Sequence, residues 1–371
     1  MNILLGDLRS DDSEVRCISR EYIQQMTPKV SVILPIYNVA QYLRDCLNSL
    51  INQTLTDIEF ICINDGSTDN SLEILNEYAA KDERFVVLSQ ENQGQGVARN
   101  KGVELARGEY IQFIDPDDWV ELDMLEILYN FAKEHHSQVV KFNYTDYNDY
   151  SRKYKQQEFV KQIQENYNYD LNATPYYTWR ILKKNCLSSL DLHVWAHFYQ
   201  TEFIKSNKIR FAPSKLGEDN LFADGAIVMA NKIDYLDKYL YFYRIRTGSA
   251  VHIKSDINFC VFDNIRLLKE FLIENNLFNE LEDEWISYAK KVVTWHYSQV
   301  PDESIKKYEN LCLQYFSNKK EFKKFLKEIH TKRSFLEQIF SLKNEYKDAI
   351  KYKVVTVLGI KFYIKPKKKD K

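Results

Sequence analysis

Residues 30–38, VSVILPIYN, open the part of the chain that decides the fold. The apolar run is rich in β-branched residues and does not alternate between apolar and polar positions, which is typical of a strand buried on both faces of a sheet. Helical spacing follows at once, at Leu43, Leu47, Leu50 and Ile51. Apolar side chains at these intervals form one stripe along a helix. We therefore predict a buried strand and then an amphipathic helix.

The strand-and-helix pattern repeats along the chain. Three further apolar strands are predicted, at 58–63, 85–88 and 110–114. Strands that alternate with helices imply right-handed crossovers and a mostly parallel sheet. The predicted class is therefore α/β, in which ligands bind beyond the carboxyl ends of the strands. Because Tyr37, Asp65 and Asp115 all come at or just after strand ends, we expect them to share one rim of the sheet.

The flanking segments differ in pattern from this α/β domain, which we place at residues 28–254. Residues 1–27 form a polar extension, and residues 255–345 are predicted to be helical throughout. The segment 346–371 is predicted to form a short hairpin with a basic tail, which is either solvated or in weak contact with an anionic membrane. A further helix is expected over 194–210. The length of the chain suits one catalytic domain with a helical C-terminal region.

Aromatic residues make up 14% of the chain. Their rings can stack on bases and sugar faces, and core packing explains the excess equally well. In the predicted helical region one stripe is interpreted as core, since its aromatics recur at helical spacing. The members of this stripe are Trp285, Tyr288, Ala289, Val292 and Trp295.

Charge and cysteine content argue against several classes of protein. The net charge of −2 argues against a general nucleic-acid binder, which would need clustered Lys and Arg. The six cysteines include no CxxC pair, so the sequence gives no zinc site or disulfide framework and suits a reducing compartment. The N-terminus does not resemble a signal peptide, and no segment approaches the ~20 apolar residues of a membrane span. We expect a cytoplasmic protein, at most peripheral at the inner face of the membrane.

The strongest chemical signal is the acidic cluster at 115–118, DPDD, which follows a predicted strand. Three carboxylates within four residues repel one another unless a cation or hydrogen-bond donors compensate. A hard divalent ion held by carboxylate and diphosphate oxygens would compensate, and it would act as a Lewis acid on a departing diphosphate. The alternative is a turn in which Asp117 or Asp118 caps the next helix, but a cap does not require three acids.

A second signal combines an acid with an aromatic ring. Asp65 follows a predicted strand in NDGSTDNS, and its carboxylate could accept a hydrogen bond from the N3–H of a uracil. Tyr37, after the neighbouring strand, offers a ring face for stacking. Taken alone, Asp65 is better explained by an Asp-Gly turn with a helix cap. The matching position of Tyr37 favours a nucleotide site.

These segments together closely resemble family 2 glycosyltransferases of the GT-A fold. The matching motifs, in order over about residues 29–250, are VSVILPIYN, DGSTDNS, GQGVARNKG, FIDPDDW and GEDNLF. The resemblance implies a UDP-sugar donor and Mn²⁺ or Mg²⁺ as cofactor. It implies that the donor is bound by Pro35, Tyr37, Asp65, Arg99, Asp115 and Asp117. Asp117 and Asp118 would hold the metal, although the family pattern does not settle which acid of the cluster is the direct ligand.

By the same resemblance, GEDNLF at 217–222 supplies the catalytic base. Members of the family use the acid of an ED pair, a role that carries over to Asp219, with Glu218 as its catalytic neighbour. A carboxylate can accept the proton as the acceptor hydroxyl becomes more acidic in an oxocarbenium-like transition state. A base opposite the leaving group means direct displacement with inversion. The alternative is that both acids cap the first turn of a helix.

A late segment, YRIRTGS at 243–249, also resembles a family segment near the donor diphosphate. Arg244 or Arg246 could offset phosphate charge there. His252 could be a third metal ligand through its neutral imidazole. Trp195 could line the acceptor site and could equally be a core residue.

Other classes remain as alternatives. A non-catalytic nucleotide-sugar-binding module is disfavoured because Asp117 and Asp219 are both present. A nucleotidyltransferase of related fold would need a Gly-rich phosphate loop with a catalytic Lys or Arg, which PIYNVAQYL lacks. A processive synthase would carry membrane spans and a QxxRW-like motif, and neither is found in this sequence. We therefore expect transfer of a single sugar to a glycan or lipid-linked glycan in surface polysaccharide biosynthesis (lipopolysaccharide or capsule), by a chain that could form a homodimer.

Overall fold

The computed structural model describes only part of the chain. The described residues are 27–157, 159–182, 186–187, 193–214, 216–246, 259–297, 299–315, 324–329, 340–347, 350–357 and 360–364. They form two compact units, the first within Met1–Ile253 and Asp263–Lys290 and the second within Lys254–Phe262 and Lys291–Lys371. His252, nearly all of the predicted N-terminal extension and the lysine tail lie outside the described residues.

Strands and helices alternate through the first half of the chain, as the sequence predicts. The strands are β1 (Val30–Ile36), β2 (Ile58–Asp65), β3 (Phe85–Gln90), β4 (Tyr110–Phe113), β5 (Trp119–Val120), β6 (Val139–Asn148), β7 (Lys153–Gln156), β8 (Tyr176–Tyr177), β9 (His197–Gln200), β10 (Ile233–Ile245), β11 (Phe340–Lys347), β12 (Ile350–Val357) and β13 (Ile360–Ile364). The helices are α1 (Ala40–Ile51), α2 (Ser71–Ala79), α3 (Gln95–Leu105), α4 (Met124–His135), α5 (Phe159–Tyr167), α6 (Trp179–Leu182), α7 (Thr201–Ser206), α8 (Asp219–Met229), α9 (Val261–Glu274), α10 (Phe278–Tyr297), α11 (Ile305–Tyr315) and α12 (324–329).

The central sheet lies in the first unit. Among the described residues it contains ten strands, with the order β3-β2-β1-β4-β9-β6-β10-β5, while β7 pairs with β6 and β8 with β10. The strands β3, β2, β1 and β4 run parallel to one another. Every residue of β1 and of β2 is buried, which explains why their sequences are continuous apolar runs. The predicted α/β class is confirmed.

Helix α3 packs close to β1 because of a glycine. A Cβ atom on Gly102 would meet the Cγ2 atom of Ile33 at 2.3 Å, so only a hydrogen fits between the helix and the strand. The loop that follows makes a second close approach, since a Cβ atom on Gly108 would lie 2.4 Å from the backbone nitrogen of Ser31. These two contacts fix the depth at which α3 lies on the sheet.

One predicted helix is instead a strand. Over 194–210 we expect a helix, but Val194–Ala196 form a 3₁₀ turn and β9 follows directly, with α7 after it. Strand β9 is antiparallel to both β4 and β6 and supplies hydrogen-bond partners to each. Without β9, the backbone groups of two buried strands would lack partners, at a cost that outweighs local helix preference.

The C-terminal part differs from the sequence prediction in two respects. The region 255–345 is helical only in part, because β11 begins within it and joins an antiparallel sheet with the order β11-β12-β13. The apolar stripe of α10 is buried at Trp285, Tyr288 and Ala289, whereas Trp295 is 40% exposed and is not a core residue. No helix within the described residues is long and apolar enough to cross a membrane.

Candidate functional site

Two loops meet at the carboxyl edge of β1 and β2. Tyr37 follows β1 directly, and its ring is 51% exposed. The next residue, Asn38, accepts a hydrogen bond from the Thr68 backbone N–H at 2.7 Å, while its own N–H donates to the Ser67 hydroxyl at 3.1 Å. The tyrosine is therefore held beside the NDGST turn on the rim, with half of the residue exposed to solvent.

Asp65 ends β2 and is only 2% exposed. One carboxylate oxygen accepts the Gln93 N–H at 2.9 Å, and the other accepts the Gly94 N–H at 2.8 Å. The following residue, Gly66, has φ +72°, and a Cβ atom there would lie 2.9 Å from the Asn92 nitrogen. Asp65 thus fixes the loop that leads into α3, a structural role that the sequence did not reveal. Its predicted contact with uracil stays a prediction.

Pro35, the other predicted donor residue on β1, is buried opposite Ile63 of β2. Its position is inside the sheet, next to the rim rather than on it. It therefore supports the loop that carries Tyr37.

The acids of the DPDD cluster face different partners. Asp115 is paired with Arg99 at 2.7 Å, and its side chain is 23% exposed. Asp117 is paired with Arg246 at 2.6 Å and is 22% exposed. Burial, and then the negative charge of Asp115, raise the pKa of Asp117. Both carboxylates are therefore at the edge of the site, each neutralised by an arginine.

Asp118 is fully buried. One oxygen accepts the Tyr241 hydroxyl proton at 2.7 Å, and the other accepts the Arg244 backbone N–H at 2.7 Å. The Tyr241 oxygen in turn accepts the backbone N–H of Asp115 at 3.1 Å. Burial and the neighbouring acids raise the pKa of Asp118. Within the described residues, no group of three or more His, Cys, Asp or Glu side chains is arranged to hold a metal ion.

Arg244 is surrounded by protein groups. Its guanidinium donates to the Asp117 backbone carbonyl at 2.8 Å, to Asp149 at 3.0 Å and to Asp45 at 3.0 Å. It also lies over the rings of Trp119 and Tyr42, at 4.7 and 5.0 Å from their centroids. These contacts leave little of Arg244 for a phosphate, whereas Arg246 has one carboxylate partner among the described residues, Asp117.

The ED pair stands at the start of α8. Glu218 precedes the helix, and Asp219 is its first residue. Glu218 is buried and paired with Arg99 at 2.8 Å. Loss of solvent and the charge of Asp219 raise the pKa of Glu218 to about 7, although Arg99 acts in the opposite direction. Burial also raises the pKa of Asp219, against the attraction of Arg99 and His193.

Arg99 connects the ED pair with the acidic cluster. Its guanidinium binds Asp115 on one side and Glu218 on the other, and it lies 5.3 Å over the ring of Phe211. The arginine is 3% exposed, and the two carboxylates raise its pKa despite burial. The structure thus brings together the two motifs that the sequence separates by a hundred residues. Arg99 does this as a buried bridge, whereas the sequence suggested a nucleotide contact.

Trp195 belongs to the core rather than to an open acceptor site. It is 4% exposed and stacks on Tyr241 and Tyr243, with ring centroids 4.5 and 5.2 Å apart. Tyr144 packs edge-on against it at 4.7 Å, and the exposed His193 stacks on it at 4.7 Å. From its place upstream of the ED pair, His193 could line the acceptor site, but a lone histidine has no spacing that would mark it as functional.

The structure adds other residues that sequence reasoning missed. Tyr241, Asp45 and Asp149 fix the acidic cluster and Arg244, yet they come from a strand, a helix and a hairpin far apart in sequence. No short-range spacing marks them. Their roles depend on the pairing of β10 with β5 and β6, and the pattern of a single sequence does not specify that pairing.

Comparison with known proteins gives matches to glycosyltransferases. Residues 31–191 match the model of glycosyl transferase family 2. Glycosyltransferase GlyA of Streptococcus pneumoniae is 36% identical over 229 residues, which are 61% of this chain and 32% of GlyA. The putative glycosyltransferase EpsH of Bacillus subtilis is 34% identical over 268 residues, which are 70% of this chain and 73% of EpsH.

A solved structure shows the same fold. The structure of S. aureus TarS 1–349 in complex with UDP-GlcNAc matches with a TM-score of 0.55 and 24% identity, over 91% of this chain and 99% of that one. This similarity confirms the predicted GT-A architecture. The chain spans about a third of the length of GlyA, so similarity to that relative concerns one part of it.

Proposed function

The chain belongs to glycosyl transferase family 2, and we propose that its rim site transfers one sugar from a UDP-sugar to a hydroxyl group of a glycan or glycolipid. One observation carries this proposal. Arg99 holds the acidic cluster and the ED pair at a single site through Asp115 and Glu218. A donor-binding group and the neighbour of the candidate base, Glu218, therefore lie on either side of one buried cation.

We assign the donor nucleotide to the rim around Tyr37 and Asp65. The open ring of Tyr37 suits stacking on a base, and the loop fixed by Asp65 borders the same edge. TarS, which shares the fold, was solved with UDP-GlcNAc. This likeness supports a uridine nucleotide, and it does not specify the sugar.

Two carboxylates at the same edge are the candidate ligands for a divalent metal, whose other ligands would come from the donor diphosphate. Asp115 and Asp117 offer partly exposed carboxylate oxygens, the ligands that Mg²⁺ and Mn²⁺ take. Asp118 is turned into the core, so we assign it to support and Asp117 to the metal. A bound metal would supply Lewis-acid stabilisation of the leaving diphosphate. Arg246 now neutralises Asp117 and is the residue best placed to neutralise phosphate instead.

Asp219 is the proposed base. Its carboxylate at the first turn of α8 can accept the acceptor hydroxyl proton, and its raised pKa makes it a better proton acceptor than an ordinary aspartate. Glu218 and Arg99 hold the start of α8 in place. Displacement by a hydroxyl on the side opposite the diphosphate would invert the anomeric configuration.

The proposal for the acceptor is less specific than the proposal for the donor. We propose that the chain takes part in making a surface polysaccharide, with a glycan or lipid-linked glycan as acceptor; its relatives GlyA and EpsH are named as glycosyltransferases. Action at the inner face of the membrane and a homodimeric state stay predictions from the sequence.

Calorimetric titration of UDP into the protein, with Mn²⁺ and then with EDTA, tests the proposal. We expect micromolar binding that requires the metal and that Asp117→Asn weakens by about tenfold, since one charge-assisted ligand is lost. Folded protein that binds no UDP in either condition would contradict the uridine site. Screening of UDP-sugars for transfer follows from a positive result.

A further inference from the structure

A residue of α9 holds the backbone in front of the ED pair. Asn264 lies in the first turn of α9, is only 2% exposed and belongs to the same compact unit as α8. Its side-chain N–H groups donate to the Leu216 carbonyl at 2.9 Å and to the Gly217 carbonyl at 3.1 Å. These two residues directly precede Glu218 and Asp219. One buried amide therefore fixes the chain where it enters the proposed base.

The packing around this loop is close. Gly217 has φ +68°, a conformation that glycine adopts without strain, and a Cβ atom there would lie 3.2 Å from the Asn264 amide nitrogen. A Cβ atom on Gly96 of α3 would lie 2.8 Å from the Cγ atom of Glu218. The ED pair is thus contacted by two helices. Helix α3 holds the Glu218 side chain through Arg99, whereas α9 holds the backbone just before it.

The polar contacts of Asn264 are confined to its nitrogen. Its Oδ1 atom is buried and accepts no hydrogen bond from the protein groups that the structure describes. Both hydrogen bonds of the side chain therefore go to the loop of the ED pair. Leucine has the same branched shape and no polar atom, so Asn264→Leu removes these two bonds and keeps an apolar side chain in their place.

Helix α10 makes a similar contact on the other side of Asp219 in the sequence. The buried hydroxyl of Tyr288 is hydrogen-bonded to the side chain of Asn220, which directly follows Asp219. Helices α10 and α9 are joined in turn, because the Trp285 indole N–H donates to the Ile265 carbonyl at 3.0 Å. The residues before and after the proposed base are therefore both held by the helical region.

We propose that Asn264 is a positioning residue for glycosyl transfer, and that with Tyr288 it keeps the Asp219 carboxylate where it can accept the acceptor proton. The inference rests on the proposed function and adds residues to that site. Neither residue needs to touch a substrate, since each acts through the chain beside Asp219. Precise placement matters because a shift of ~1 Å can lower the rate by about 100-fold. The helical region thus takes part in the reaction as well as in the core.

Kinetics of Asn264→Leu test this role. The assay is release of UDP to water from the UDP-sugar that screening selects, with calorimetric titration of UDP beside it. We expect kcat to fall by at least about tenfold, while the KM for the donor and the UDP affinity stay within about twofold. Tyr288→Phe removes one hydroxyl and should lower kcat by about threefold.

The matched control is Asn275→Leu, at the far end of α9. The Asn275 side chain also donates to a backbone carbonyl, that of Phe271 at 2.8 Å, and this bond does not involve α8. Its kcat should stay within about twofold of the wild type. Equal losses in the two leucine variants would overturn the proposal, because general destabilisation would then explain them. An unchanged kcat in Asn264→Leu would overturn it, and so would an equal loss of UDP affinity.

Hydrogen exchange over 216–222 tests the same contact without any activity. We expect exchange there to rise by about tenfold in Asn264→Leu and to stay unchanged in Asn275→Leu. Unchanged exchange in Asn264→Leu would overturn the proposal even if the wild type proved inactive. A wild type that binds no UDP, or that releases UDP from no UDP-sugar, contradicts the proposed function instead.

Discussion

Arg99 is buried between two carboxylates that belong to different parts of the mechanism. Removing a guanidinium from water is costly, and ion pairs to Asp115 and Glu218 at 2.7 and 2.8 Å offset that cost. Loss of one partner would leave a buried charge only partly compensated. The position of Asp219 therefore depends on residues that themselves need not touch the acceptor.

Asp219→Asn should abolish transfer and retain the donor. An amide cannot accept the acceptor proton, so we expect kcat to fall by at least about 100-fold. UDP affinity should change by less than about twofold, since Asp219 is not assigned to the nucleotide. Asp283→Asn, an exposed acid on α10, is the matched control for calorimetry and transfer assays. Transfer at the normal rate by Asp219→Asn would disprove the base assignment.

Glu218 should set the acidic side of the pH–rate profile. The pKa of Glu218 is raised to about 7, and that of Asp219 is raised as well, so protons bound to this pair at low pH remove the base. We expect kcat to fall as the pH decreases through about 7. In Glu218→Gln, Arg99 loses one anionic partner and attracts the ionised form of Asp219 more strongly. The fall should move to lower pH, and an unchanged or higher midpoint would contradict this coupling.

At the scale of elements, the contact between α3 and β1 depends on Gly102. Gly102→Ala would force a methyl group against Ile33, with a Cβ to Cγ2 distance of 2.3 Å unless the helix moves. We expect the free energy of unfolding to fall by roughly 1–3 kcal/mol. Urea unfolding measures this, with Lys101→Ala on the same helix as control. Helix propensity alone predicts a higher free energy of unfolding for alanine than for glycine. A more stable variant would therefore show that the helix accommodates the methyl group.

The sequence predicts a strand correctly where the strand's own residues form a recognisable pattern. The first four strands appear within about two residues of their predicted bounds, because burial on both faces makes each a continuous apolar run. Strand β9 was mistaken for a helix because its four residues depend on β4 and β6 for their hydrogen bonds. Of the candidate site, the motifs single out the acids and Arg99, whose roles stay predictions, whereas the ion pairs of Arg99 and Arg244 depend on tertiary contacts.

At the scale of the first unit, Arg244 ties together parts far apart in the chain. It binds α1 through Asp45, the acidic cluster through the Asp117 carbonyl and the hairpin of β6 and β7 through Asp149. Arg244→Met should release this hairpin and increase hydrogen exchange over 146–156 by roughly tenfold, the equivalent of one charge-assisted hydrogen bond. Arg266→Met, which removes a pair within α9, is the control. Unchanged exchange in the hairpin would show that the ring contacts of Tyr147 with Trp119 and Tyr154 are enough to hold it.

The two-sided pairing of Arg99 also constrains how related sequences can diverge. A change at position 99 leaves both Asp115 and Glu218 without their cation, and a neutral residue at 115 or 218 leaves Arg99 with half its compensation. A single substitution at one of these positions therefore gives a less stable protein, whereas joint replacement of the paired residues does not. In an alignment of homologues, we expect positions 99, 115 and 218 to covary. We also expect joint substitution of two paired residues to restore the stability that each single substitution loses.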